Sequence, residues 1–268
     1  MQRTGGWTSL ATKQKGALCG IKTIIFDGDD TLWATQPLFD QAKAALAKIV
    51  RKKLGIQSFE TLTRLDEIDI ANIPKMGFSP ERFPTSLVET FLVLCTSKGF
   101  VPSDAEKQHM YALGAAIFTK SPTLLKDVKK VLSLLSHSYQ LILYTLGDVA
   151  TQQRIIKALK LELFFADRIY IVSEKTSVQL EKVLQSRHVS PTDVLMVGNS
   201  MKSDINPALE LGIKCVWVNQ HSWAYDNGSP LPGEVIEISH FRELLRVLAK
   251  RLLSQKRVHG DVRPFVRV

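Results

Sequence analysis

The chain has 268 residues, 45% of them hydrophobic and 23% charged, which excludes a disordered polypeptide and provides for a core of ordinary size. No apolar run nears the roughly eighteen residues that a membrane-spanning helix needs, so a membrane-embedded protein is excluded as well. The net charge of +9 is uneven: residues 1–20 carry three basic and no acidic side chains, and residues 242–268 carry eight basic and two acidic ones, so the body between them is neutral. A body built to bind a polyanion should itself be basic, which argues against nucleic acid as a partner and leaves only the tails to touch RNA or a membrane surface.

Residues 1–19 lack the apolar centre of a secretory signal and read as a flexible extension; residues 254–268 read as a basic tail. A cytoplasmic location is expected, with an organellar address in the acid-free extension as the alternative. Cys19, Cys95 and Cys215 lie far apart without a CxxC pair, which fits a reducing compartment and three small apolar fillers.

In chain order, apolar and β-branched runs at Ile21–Phe26, Leu141–Tyr144, Ile169–Val172, Val194–Val197 and Cys215–Val218 read as buried strands. Helical spacing at Val149–Leu159, Ser177–Ser186 and Ser203–Leu211, the last stopped by Gly212, alternates with them. A sixth run, Val235–Ile238, and an amphipathic helix over Phe241–Leu253 complete the pattern. Such alternation predicts an α/β fold with a Rossmann-like, doubly wound parallel sheet. More than a hundred residues separate the first two runs, too many for one crossover. A stretch opened by Pro37 and others at Phe59–Asp69, Pro84–Ser97 and Ser103–Phe118 are helical, with no strand candidate among them. The expected organisation is a core of residues 20–36 and 122–253 carrying an inserted helical cap at 37–121, on linkers near Ala34–Pro37 and Lys120–Thr123.

Ligands of an open parallel sheet bind where the strands end at their carboxyl edge. The first run is followed by Asp27, Gly28, Asp29, Asp30 and Thr31, the second by Thr145, and the third by Ser173, Glu174 and Lys175. The fourth is followed by Gly198, Asn199 and Ser200 and, one turn on, by Asp204. Singly these are ordinary turn, capping or solvated residues. Jointly, at successive strand ends, they suit a hard cation such as Mg²⁺ and a phosphate, since Mg²⁺ takes one or two carboxylates together with substrate oxygens and water.

The segments FDGDDTLW (Phe26–Trp33), YTLGD (Tyr144–Asp148), the lysine of VSEKT (Lys175) and VGNSMKSD (Val197–Asp204) resemble, in order and spacing, the four motifs of the haloacid dehalogenase-like hydrolase superfamily. The insertion resembles that superfamily's first class of cap. The resemblance implies that Asp27 is a nucleophile forming an aspartyl-phosphate, with Asp29 as general acid and then base. It also implies that Thr145 binds a phosphoryl oxygen, that Lys175 offsets negative charge, and that Mg²⁺ is held by Asp27, the Asp29 carbonyl, Asn199 and Asp204. Three positions depart from the pattern: Asn199 stands where an Asp is usual, Leu146 where a lysine is frequent, and Asp30 where Gly is common and is read as a turn residue.

Asp29 favours a phosphomonoesterase over a dehalogenase, because an alkoxide leaving group needs a proton and a halide does not. The expected substrate is a small phosphorylated metabolite; oligomeric state is not read. The rival reading is a receiver-like signalling module that binds phosphate and Mg²⁺, but such a domain has no helical insertion after its first strand. The linkers and the Ile73–Phe83 segment are candidates for substrate selectivity. Within that segment Lys75 and Arg82 could meet a second anionic group of the substrate but are read as solvated charges; Trp33 is read as packing rather than lining the entry, and Trp217 and Trp223 as fillers.

Overall fold

A computed structural model of the protein describes residues 18, 20–220, 226 and 229–248. Cys19, Trp223, most of the expected N-terminal extension, the end of the last expected helix and the basic tail lie outside the described residues. In chain order, β1 (Thr23–Phe26) and β2 (Trp33–Ala34) are followed by α1 (Gln36–Leu54), α2 (Ser58–Met76), α3 (Arg82–Ser97) and α4 (Asp104–Thr119). Next come β3 (Thr123–Leu124), α5 (Val128–Leu135), β4 (Gln140–Leu146), α6 (Val149–Ala158), α7 (Glu162–Phe165), β5 (Ile169–Val172) and α8 (Ser177–Ser186). The chain continues through β6 (Val194–Gly198), a π-helical turn (Met201–Ile205), α9 (Asn206–Glu210), β7 (Lys214–Val218) and β8 (Val235–Ile238), and residues 243–248 are helical.

The central sheet has the order β5-β4-β1-β6-β7-β8 with parallel pairing throughout. From β1 the chain winds outward to β4 and β5, then crosses to β6 and winds the other way, which makes the end of β1 the switch point of a doubly wound sheet. Both faces of β1 are buried. Ile24 and Phe26 enter a core with α5, α6 and residues 244 and 248, while Ile25 enters a second core with α8 and α9. That two-sided burial is why the strands read as continuous apolar runs rather than alternating ones. The four helices α1–α4 pack around a separate core of Leu46, Val50, Leu65, Phe83, Leu87, Phe91 and Met110. Gly114 of α4 permits the close approach of α3, since a Cβ there would stand 2.6 Å from Pro84 Cα.

Some elements differ from expectation. A two-stranded antiparallel ribbon, Trp33–Ala34 with Thr123–Leu124, joins the two linkers where no strand was expected. Two-residue strands carry no readable periodicity; they exist because the chain leaves and re-enters the sheet at one place. Helix α5 was not anticipated. Helix α2 runs on past Asp69 to Met76 and contains Pro74 two residues before its end, where the missing N–H forfeits one intrahelical hydrogen bond. Cys95 and Cys215 are buried free thiols. Among the described residues no helix is long and apolar enough to cross a membrane.

Candidate active site

The loop after β1 is shaped by its small and polar residues. A Cβ at Gly28 would meet the Trp33 ring at 2.2 Å, so a side chain there would displace the buried indole. Asp30 adopts φ 56°, a left-handed conformation that Asp tolerates better than most residues, and its carboxylate accepts from the N–H groups of Thr35 and Gln36 at 2.9 Å each. It thereby caps the start of α1 and holds the first linker, a larger role than that of a plain turn residue.

Asp27 emerges from β1 at the switch point and is buried. The Lys175 ammonium, from the loop after β5, donates to Asp27 Oδ1 at 2.5 Å and to Asp204 Oδ1 at 2.6 Å. Burial alone would lower the pKa of Lys175, but the charges of Asp204 and Asp27 more than offset it and hold the ammonium above its ordinary range. Asp204 is pushed up to about 7 by burial and by the charge of Asp27, against the pull of Lys175. It reaches this place because Gly198 lacks a side chain: a Cβ there would stand 2.4 Å from Asp204 Oδ2. Ser200 caps the π-helical turn that carries Asp204, and its N–H donates to Asp204 Oδ2 at 3.0 Å.

Asp29 is ringed by donors. Trp33 Nε1 donates to Oδ1 at 2.9 Å, the Thr35 hydroxyl donates to the same oxygen, and Gln152 Nε2 donates to Oδ2 at 2.7 Å. Burial, together with the nearby Asp27 charge, nevertheless raises its pKa; the Thr35, Gln152 and Trp33 hydrogen bonds pull the other way. Asn199 Oδ1 accepts from the Thr31 hydroxyl at 3.1 Å, and its carbonyl accepts from Trp217 Nε1 at 2.8 Å.

Asp27, Asp29, Lys175, Asn199 and Asp204 line one cavity of about 230 Å³ between the sheet edge and the helical insertion. Thr145 is not part of its wall. Its hydroxyl lies buried against Gly28 without a hydrogen-bond partner. Phe39, Phe78, Phe83 and Phe118 form the opposite, apolar side of the cavity. Arg82, expected to be solvated, is instead buried in an ion pair with Asp69 and also donates to the Asp69 carbonyl at 3.2 Å. The α2–α3 contact that encloses this pair is tertiary and has no sequence signal. Lys75 is exposed.

Four further residues were missed as parts of the site. Gln152 and Thr35 touch Asp29, and Trp33 adds a hydrogen bond to its packing role. Asp226 accepts from the Ser200 hydroxyl and from the N–H groups of Met201 and Lys202, clamping the turn that carries Asp204. Only the closeness of Trp33 and Thr35 to Asp29 along the chain offered a signal.

Among the described residues no three His, Cys, Asp or Glu side chains cluster as metal ligands. The donors at the strand ends are two carboxylates, Asp27 and Asp204, with the Asn199 amide oxygen and main-chain carbonyls. An all-oxygen set of this charge fits Mg²⁺, which completes its shell with substrate and water, and does not fit a thiolate- or imidazole-seeking metal.

A parallel sheet with an acidic crevice at its switch point and a helical unit inserted after the first strand defines a Rossmann-like α/β protein with a helical cap. The profile of the haloacid dehalogenase-like hydrolases matches residues 21–212, more than half of the sequence, and the chain belongs to that family. It is similar to the N-acylneuraminate-9-phosphatase of Rattus norvegicus, 26% identical over 231 residues, covering 82% of this chain and 91% of the relative. It is also similar to the glyceraldehyde 3-phosphate phosphatase of Pyrococcus abyssi, 27% identical over 247 residues, covering 89% and 98%. In fold it is similar to a haloacid dehalogenase-like family hydrolase from Xanthomonas campestris, with TM-score 0.71, 22% identity, and 89% and 95% of the two chains covered.

Proposed function

We propose that this phosphatase of the haloacid dehalogenase type hydrolyses a small phosphate monoester through an aspartyl-phosphate on Asp27, with Mg²⁺ as cofactor. The observation that carries the reading is the second carboxylate. Asp29 shares the strand end and the cavity with Asp27, and burial biases it toward the protonated form that a departing alkoxide requires. Asp27 attacks phosphorus with one carboxylate oxygen while Asp29 gives its proton to the leaving oxygen. Asp29 then takes a proton from the water that cleaves the acyl phosphate. Lys175, already bound to Asp27, stays beside the phosphoryl oxygens and offsets their charge. The unpartnered Thr145 hydroxyl offers them a donor once the loop at Gly28 gives way. Asp27, Asn199, Asp204 and the Asp29 carbonyl would hold Mg²⁺, whose chemistry there is to neutralise charge on the phosphate and the attacking carboxylate. The leaving group would occupy the phenylalanine-walled part of the cavity, whose volume suits a small metabolite. The named relatives, which act on a phosphorylated sugar acid and a triose phosphate by their names, support this size range.

The test is phosphate release from a panel of sugar phosphates, triose phosphates, phosphoglycolate and nucleotides, with Mg²⁺ and with chelator. Turnover of at least one monoester that disappears in chelator is expected, and no turnover of any, or full turnover in chelator, overturns the reading.

Asn199 sets a second expectation. Its amide oxygen is a weaker ligand for a hard cation than a carboxylate, so half-saturating Mg²⁺ should be comparatively high. Asn199→Asp keeps the acceptor for Thr31 and should lower the half-saturation point severalfold, about 1 kcal/mol in a partly solvated site. An unchanged or raised point in a Mg²⁺ titration of the rate would show that residue 199 does not contact the metal.

A further inference from the structure

We infer that Gln152 is a positioning residue for Asp29, fixing which carboxylate oxygen faces the leaving group and tying that oxygen to the core sheet. The inference rests on the reading of Asp29 as the acid. Asp148 caps α6 by accepting from the Thr151 N–H at 2.8 Å, and the Gln152 side chain from the first turn is directed back toward the end of β4. There Nε2 donates both of its hydrogens, to Asp29 Oδ2 at 2.7 Å and to the Leu146 carbonyl at 3.1 Å. The Oε1 atom is buried without a partner, and Gln152 is only 5% exposed. An unsatisfied buried acceptor is costly, yet turning the amide over would be worse, because Oε1 would then confront a carbonyl and a carboxylate. The amide is therefore locked as a double donor. Gly147, at φ +147°, leaves the space for it: a Cβ there would stand 2.9 Å from Gln152 Nε2.

The two oxygens of Asp29 belong to different parts of the molecule. Oδ1 is held by Trp33 and Thr35, which lie on the linker into the helical insertion. Among the described residues Gln152 supplies the one hydrogen bond that refers the carboxylate to a core helix. Without it, Asp29 is oriented by the linker alone, and the acid is no longer registered against Asp27 and the leaving oxygen.

The consequence depends on the leaving group, which distinguishes positioning from a structural role. A glycerol alkoxide must be protonated as it departs; p-nitrophenolate need not be. The parameter to compare is kcat/KM, which covers the steps through phosphoryl transfer and omits the later hydrolysis in which Asp29 acts again. In the Mg²⁺-loaded protein, Gln152→Met, which keeps length and volume without a donor, should lose about 10- to 100-fold in kcat/KM with glycerol 2-phosphate and less than about threefold with p-nitrophenyl phosphate. Gln152→Asn, whose amide stops one methylene short, gives the same comparison should the Met variant fail to fold by circular dichroism. Asp29→Asn serves as the reference. If it shows the leaving-group dependence and the Gln152 variants lose equally on both esters, or on neither, the inference about Gln152 is overturned while the acid assignment stands. If Asp29→Asn shows no such dependence, the acid assignment itself fails, and Gln152 loses the role inferred for it.

Discussion

Asp27→Asn should abolish turnover, with kcat falling by about 10⁴-fold or more, the scale seen when a nucleophile is removed from a site whose parts act as a unit. The amide keeps the shape of the carboxylate and can still accept from Lys175, but it cannot form the acyl phosphate. Folding should survive, because the buried ammonium keeps Asp204, at 2.6 Å, as its counter-ion. The measurement is phosphate release beside a thermal melt, with acid trapping of radiolabelled phosphate on the parent protein and none on the variant. A variant that folds and retains comparable activity, with contaminating phosphatase excluded, would falsify the covalent mechanism.

Lys175→Met should be the most destabilising single change at the site. It removes a cation whose side chain is 2% exposed and which serves two carboxylates that are themselves buried. Breaking a buried pair from one side typically costs about 3–5 kcal/mol because the remaining charge stays desolvated, and at a pH high enough to ionise Asp204 two like charges would remain. In chelator the melting point should fall accordingly, and Mg²⁺ should restore part of it by binding the folded state alone. Activity should fall by about 10²- to 10³-fold even with Mg²⁺, the usual cost of losing a preorganised charge at a developing anion.

The pH dependence has a definite sign. Asp204 is raised from the ordinary 3.8 to about 7, so the folded state holds a proton that the unfolded state has released. Its contribution to stability is complete below the unfolded value and is lost as pH rises toward the folded one. Metal-free protein should therefore lose stability across that window. In Lys175→Met the loss should be larger and extend to higher pH, since the ammonium that restrains the shift is gone. A Lys175→Met variant as stable as its parent in chelator at the high-pH end of the window would show that the ion pairs contribute nothing.

Much of the site was legible because a parallel sheet turns position along the chain into position in space. Residues that directly follow buried strands must gather at the carboxyl edge, so Asp27, Asp29, Lys175 and Asn199 could be grouped from the sequence, and Asp204 with them. Thr145 was grouped by the same logic; its buried hydroxyl lies beside Gly28 without a partner, and strand order does not fix which face a strand residue presents. Gln152 escaped for a related reason. It lies one turn into a helix, and whether it reaches the crevice depends on how α6 rotates against the sheet. The Arg82–Asp69 pair escaped because α2 and α3 decide its burial by packing together.

The sequence by itself determined the class of fold, the insertion after the first strand and the family. Strand-length apolar runs, helical spacing and four short motifs are local properties that survive without coordinates. Tertiary structure alone decided how those residues work on one another. It set Lys175 between Asp27 and Asp204, gave the two oxygens of Asp29 to different parts of the molecule, and joined the linkers in a ribbon. Each of these depends on distances between segments far apart in the chain, and such distances are fixed only when the cores on both sides of the sheet and within the insertion have packed.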